Sequence, residues 1–121
     1  MNANAPVDPQ LVGTMLEGVA RAQGVTNYGR IAERFGLPPF DGIWTSHPLA
    51  VIFEVLDQQD AAAQRPFRTS VVVAVETNRP GPGLFEALQR LRNIQDPKTP
   101  NTRDELWTRE LAAAHAFPWP R

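Results

Sequence analysis

Cysteine is absent from this 121-residue chain, and histidine occurs only as His47 and His115. The absence of cysteine excludes a disulfide framework, a thiolate zinc site and a cysteine nucleophile. Neither histidine has a spacing partner typical of a metal site, and no GxSxG, HExxH or Walker-type glycine loop occurs. We therefore predict a non-enzymatic protein that binds no cofactor, no metal and no small-molecule substrate.

Long apolar runs are also missing. No apolar stretch approaches the ~20 residues of a membrane span, and the N-terminal residues lack the basic and apolar regions of a signal peptide. We expect a cytoplasmic protein that has no membrane partner.

Proline, by contrast, is abundant: 12 of the 121 residues are proline, roughly double the usual ~5%. The prolines lie between segments of regular hydrophobic spacing. The length and the 42% apolar content fit a single folded domain. We predict a flexible arm over residues 1–7, one domain over residues 8–116, and an aromatic, proline-containing tail over residues 117–121 that docks on the domain.

Five segments have hydrophobic residues at helical spacing, and most of them begin with a residue that can cap a helix. The capping residues predicted for the first, second, third and fifth helices are Asp8, Thr26, Ser46 and Thr102. The second segment is typical of the first helix of a helix-turn-helix. The predicted helices cover about residues 9–22, 26–35, 46–59, 84–93 and 102–115.

The third helix has an unusual charge pattern. Its apolar stripe follows the i, i+3, i+4, i+7 spacing of a core-facing helix, and it carries acids but no arginine or lysine. We expect its acidic residues to be exposed, and His47, at its start, to be a capping or surface residue. The acids concerned are Glu54, Asp57 and Asp60.

The run Val71–Val75 is the strongest strand signal, because β-branched side chains pack well on a pleated surface. We predict a strand over residues 67–77, followed by a Pro/Gly turn over residues 78–83. A partner strand is expected near residues 43–44, or from residues 79–84 folding back. The predicted fold is α+β, mostly helical and winged-helix-like, with about five helices and a small β-hairpin or short sheet centred on residues 67–77.

Two catalytic interpretations receive little support. A metal nuclease would use Glu76 at a strand end with Asp41 or Glu54 as a second acid, but Asn78 stands where such a site requires lysine. The hydroxyls of Thr69–Ser70 have no histidine or lysine nearby in the sequence, so we expect them to be strand residues with satisfied hydroxyls.

Residues 25–32, VTNYGRIA, and residues 35–38, FGLP, resemble a block of the alkylguanine-DNA alkyltransferase and alkyltransferase-like family. Residues 66–72, PFRTSVV, are similar to its P-C-H-R-V-V or P-W-H-R-V-V segment. The resemblance implies a winged-helix fold. Phe67 stands where the alkyltransferase has its cysteine, which excludes alkyl transfer, and the family's base-flipping arginine is missing from the acidic third helix.

Residues 73–85 also resemble a segment with a PGxGF pattern in uncharacterised bacterial and phage proteins. No activity is attached to that group. The resemblance is compatible with a role in bacterial or phage regulation or defence.

Charge is divided along the chain. Residues 1–60 carry three arginines and seven acids, a net charge of −4, whereas residues 61–103 carry seven basic residues and three acids, a net charge of +4.

The first hypothesis is a protein-interaction or regulatory module, bound to a protein partner or to a second copy, with Trp107 and Trp119 as anchors. The alternative is a nucleic-acid-binding protein with an arginine-bearing wing. The candidate partner-binding residues are Arg65, Arg68, Arg79, Arg90, Arg92 and Tyr28.

Overall fold

The computed structural model describes residues 7–39 and 47–120. Within these ranges the chain forms five α-helices, one 3-10 turn and two short strands, so the α+β, mostly helical prediction is confirmed. None of these described helices is long and apolar enough to cross a membrane. The elements are α1 (Pro9–Arg21), β1 (Thr26–Asn27), α2 (Tyr28–Arg34), α3 (Pro48–Ala62), the 3-10 turn (Arg68–Val71), β2 (Val72–Val73), α4 (Gly83–Arg92) and α5 (Pro100–Ala116).

The first helix begins as predicted. Asp8 accepts the Gln10 backbone N–H at 2.9 Å and Pro9 occupies the first turn. The prediction for α2 is wrong by one residue, because Asn27 accepts the Arg30 N–H and Thr26 belongs to β1.

The third helix is capped by His47, which confirms one of the two roles predicted for it. Its Nδ1 accepts the Leu49 N–H at 3.1 Å, and its Nε2 donates to the Pro38 carbonyl at 2.7 Å. The other predicted cap, Ser46, lies outside the described residues, as does the 40–46 connection of the predicted helix-turn-helix. The cap predicted for the fifth helix, Thr102, is wrong by three residues: Thr99 is the observed N-cap, and Pro100 is preset for the first helical turn.

The predicted strand over residues 67–77 is largely wrong. Only Val72–Val73 forms a strand, and it pairs in parallel with Thr26–Asn27, for which no strand is predicted. The preceding Arg68–Val71 forms a 3-10 turn in which all four side chains are buried. A strand would direct alternate side chains to opposite faces, whereas the turn buries consecutive polar ones beside their partners on α3.

The chain turns sharply after β2. The Ala74 carbonyl accepts the Asn78 N–H and the Ala74 N–H donates to the Arg79 carbonyl, each at 2.8 Å. Asn78 has a φ of +56°, a left-handed conformation that asparagine tolerates. A sharp turn follows the strand as predicted, but it spans residues 74–79 rather than 78–83. Residues 79–84 do not return as a strand, and the alternative partner at residues 43–44 falls in the part not described. The described strands do not form the antiparallel hairpin of a wing.

Two hydrophobic clusters make up the core. The larger joins α1, α3, β2 and the C-terminal segment, and the smaller gathers around Phe67 and α4. Trp119 is buried and donates its Nε1–H to the Ala114 carbonyl at 2.8 Å, and Phe117 packs beside it. The predicted docking of the tail is confirmed for residues 117–120.

A buried arginine connects the elements of the larger cluster. Arg68 is only 2% exposed. Its Nε donates to Asp60 at 3.1 Å, Nη1 to Glu17 at 2.9 Å and Nη2 to Gln59 at 3.1 Å, while its backbone N–H also donates to Asp60 at 2.8 Å. One side chain thus joins α1, α3 and the 3-10 turn. Gly13 makes the space for it, because a Cβ there would lie 2.5 Å from Nη1.

We predict that Gly13→Ala destabilises the protein, whereas Gly18→Ala in the same helix stabilises it. Alanine in a helix interior gains about 0.5–1 kcal/mol over glycine, and a Cβ at Gly18 would lie 3.7 Å from the nearest atom, on Arg21. At Gly13 the methyl must displace a guanidinium that holds buried carboxylates, at an expected net cost of about 2 kcal/mol or more. Urea unfolding of both variants measures this, and a Gly13→Ala protein as stable as Gly18→Ala would contradict it.

Candidate functional site

The candidate arginines are all held by carboxylates of the same chain. Arg68 is buried as described, and Arg92 is mostly buried, with its guanidinium 4.1 Å from the Phe67 ring centroid. Only Arg79 and Arg90 expose more than half of their side chains, at 57% and 51%. The ion pairs are Arg65–Asp60, Arg68–Asp60 and Arg68–Glu17, Arg79–Asp104, Arg90–Glu54, and Arg92–Glu110.

The pair between α3 and α4 is the best aligned of the exposed ones. Both nitrogens of the Arg90 fork donate to Glu54, each at 2.7 Å. Hydrogen bonding to Arg90 lowers the pKa of Glu54, and the same bonds raise the pKa of Arg90. Arg90 is therefore already committed to a carboxylate.

The remaining candidate, Tyr28, has a different role from the arginines. Its hydroxyl accepts the Gly81 backbone N–H at 3.1 Å, and its ring centroid lies 6.0 Å from that of Phe53. Burial is the main cause that raises the pKa of Tyr28. Tyr28 thereby fastens the loop of residues 74–83 to the start of α2.

This loop, α2, α3 and α4 line a groove of about 2170 Å³. Its walls include Val51 on α3 and Val75 on the loop, which are 66% and 70% exposed. Leu37, Pro80 and Pro82 add further apolar surface. We name this feature the α3–loop groove.

The α3–loop groove is acidic. Six acidic side chains line it against three basic ones, and two of the basic ones, Arg90 and Arg103, are already paired with acids of the lining. The Asp96 partner of Arg103 receives two hydrogen bonds from it, which lower the pKa of Asp96. The lining acids are Glu33, Glu54, Asp57, Glu76, Glu86 and Asp96.

Asp57 is a buried acid of the groove lining, at 5% exposure, and the prediction that it is exposed is wrong. Its Oδ1 accepts the Thr69 hydroxyl at 2.7 Å, and it forms no ion pair with any described residue. Burial raises the pKa of Asp57 to about 7; the negative charges of Asp60 and Glu54 act in the same direction, and Thr69 and Arg90 oppose it. A buried carboxyl that titrates near neutral pH in a groove is typical of functional sites.

Asp60 is also buried, at 0% exposure, and its predicted exposure is likewise wrong. The helical spacing of both aspartates predicts their burial, although their charge suggests exposure. Asp57 follows Phe53 by four residues and Asp60 follows Leu56 by four, so both extend the apolar stripe of α3 towards its C-terminus.

The hydroxyl and tryptophan predictions have mixed outcomes. Thr69 is satisfied by Asp57, but the buried Ser70 hydroxyl has no hydrogen-bond partner within the described chain. Trp107 donates its Nε1–H to the Ser70 carbonyl at 2.8 Å, so Trp107 and the buried Trp119 both contribute to the fold.

Within residues 7–39 and 47–120, no group of three or more His, Asp or Glu side chains is arranged to hold a metal; Asp41 lies outside these ranges.

Comparison of the chain with protein-family models, with curated proteins and with solved structures finds no match. The resemblance to the alkyltransferase family therefore stays a prediction. The site has to be interpreted from its own residues.

We predict that Asp57→Asn changes how stability depends on pH. Between about pH 4 and pH 7 the unfolded carboxyl releases its proton whereas the folded one keeps it, so the wild-type protein loses up to about 4 kcal/mol relative to the variant. The gap between the two free energies of unfolding should grow across this interval and level off above it.

Urea unfolding at a series of pH values measures the gap. Glu76→Gln, which removes an exposed acid of the groove wall, is the control and should show no comparable growth. A constant gap for Asp57→Asn would contradict the buried, uncompensated state of this carboxyl.

Proposed function

We propose that this protein is a non-enzymatic protein-interaction or regulatory module that binds its partner in the α3–loop groove. The observation that carries the proposal is the exposure of Val51 and Val75 on two different walls of one concave surface. Apolar side chains grouped in a concavity and rimmed by polar residues are typical of interaction sites. As part of the same proposal, the module acts in the cytoplasm, where a cysteine-free chain is ordinary.

The loop wall is organised for binding before a partner arrives. Tyr28 fastens Gly81, Arg79 pairs with Asp104 on α5 at 2.9 Å, and prolines 80 and 82 restrict the backbone. A wall that is already ordered loses less conformational entropy when a partner binds. This supports a role for residues 78–83 in contacting the partner.

The nucleic-acid alternative has less support. Each candidate arginine already has a carboxylate partner, and the groove carries twice as many acids as bases. Phosphate binding requires lysine or arginine side chains that are able to contact the backbone of the nucleic acid. A salt-sensitive complex with a DNA duplex at about 50 mM salt would nevertheless replace our proposal with this one.

Selection from a displayed library of random peptides tests the proposal without a known partner. We expect enriched peptides whose affinity falls at least about tenfold for the double variant Val51→Ser/Val75→Ser, since two apolar contacts contribute about 1.4 kcal/mol or more. The matched control is Leu11→Ser/Val25→Ser, which also removes one helical and one loop side chain, both exposed and outside the groove.

Two outcomes would overturn the proposal. Peptides that bind both double variants equally would place the interaction elsewhere on the surface. Failure to enrich any peptide over the bare support would remove the evidence for a peptide-binding groove. Light scattering of the free protein identifies the kind of partner: self-association abolished by Val51→Ser/Val75→Ser would make a second copy the occupant.

A further inference from the structure

Asp57 and Asp60 lie one turn apart on α3 and are both buried, but only one of them has a cation. Asp60 receives Arg65 and Arg68 on its carboxylate oxygens. Asp57 receives only the Thr69 hydroxyl on Oδ1, and its Oδ2 has no hydrogen-bond partner among the described residues. Asp57 lines the α3–loop groove, and its Oδ2 is not among the fully buried atoms that lack a hydrogen-bond partner.

We propose that Asp57 is the anchor for a positively charged side chain, lysine or arginine, that a protein partner inserts into the α3–loop groove. This inference rests on the proposed function and specifies the chemistry of the partner. A buried carboxylate is costly unless a cation and hydrogen bonds compensate it. The chain satisfies this requirement at Asp60 and leaves it open at Asp57.

The charge around the groove favours the same occupant. The cation of the chain that acts on Asp57, Arg90, is engaged by both oxygens of Glu54. With six acids against three bases, the lining attracts a basic segment and repels an acidic one.

The apolar part of the groove lining suits the stem of such a side chain. Lysine and arginine carry aliphatic stems that pack along apolar surface while the charged group reaches a polar partner. Val51 and Val75 are exposed apolar residues of the same groove lining as Asp57 and Thr69. A small inorganic cation would make no use of these walls.

Binding of this kind depends on pH, because the cation requires ionised Asp57. The groups that act on Asp57 are Asp60 and Glu54 on its own helix, Thr69 from the 3-10 turn, Arg90 from α4 and Tyr28 from α2. Of these, only Thr69 is a direct hydrogen-bond partner. With the pKa of Asp57 at about 7, the apparent affinity should fall about tenfold from pH 8 to pH 6.

The test uses n-butylammonium, which is the end of a lysine side chain, followed by ¹H–¹⁵N NMR. At about pH 8 we expect saturable shifts of the Asp57, Thr69 and Gly81 amides, weakened about tenfold at pH 6. The shifts should be absent in Asp57→Asn, retained in Glu105→Gln, which removes an exposed acid outside the groove, and absent when neutral 1-butanol replaces the cation. Unchanged shifts in Asp57→Asn, or no shifts in the wild-type protein, would overturn the inference.

The peptides enriched by library selection separate this inference from the proposed function. We expect them to contain a lysine or arginine whose replacement by norleucine weakens binding at least about tenfold to the wild-type protein and little to Asp57→Asn. Peptides that depend on Val51 and Val75 but carry no such cation would leave the proposed function standing and overturn the role of Asp57. If no peptide is enriched, the n-butylammonium titration still decides the inference.

Discussion

The buried guanidinium of Arg68 is the interaction on which the rest of the structure depends. It contacts Glu17 on α1 and both Gln59 and Asp60 on α3, while its own backbone starts the 3-10 turn. A fork with several fixed donors can hold acceptors in several directions, which a lysine ammonium does not match. The turn that this contact fixes leads directly into β2, and it places Thr69 against α3. Arg68 therefore stabilises the fold and also fixes the position of Thr69 in the groove lining.

The same helix turn gives two aspartates opposite environments. Asp60 is compensated from within the chain and acts as a structural group. Burial raises the pKa of Asp57 to about 7. Arg90 does not compensate the Asp57 carboxylate, because Arg90 is paired with Glu54. Leaving an acid buried without a cation costs stability as it ionises. Such a cost is typical of functional positions, where a partner supplies the missing charge. This contrast is why we assign Asp57 to binding.

Much of the helical framework could be predicted from the sequence, because apolar spacing and capping residues such as Asp8 act locally. The strand could not. The β-branched run Val71–Val75 favours an extended backbone on its own. The preceding Arg68 and Thr69 instead form a turn in which they bind Asp60 and Asp57, and these acids lie eleven or more positions before Val71. The short partner strand at Thr26–Asn27 has no local signal. The arginines are candidates because of their charge, whereas their carboxylate partners depend on tertiary contacts that composition does not reveal.

A direct measurement of the Asp57 carboxyl tests the central claim, that this acid is buried without a cation of its own. The side-chain carboxyl carbon can be followed by ¹³C NMR through a pH titration of the free protein, with Asp57→Asn to assign the signal. Our account predicts a midpoint of about 7, which moves to lower pH when n-butylammonium is present. A midpoint near the ordinary value for aspartate, about 4, in the free protein would contradict it.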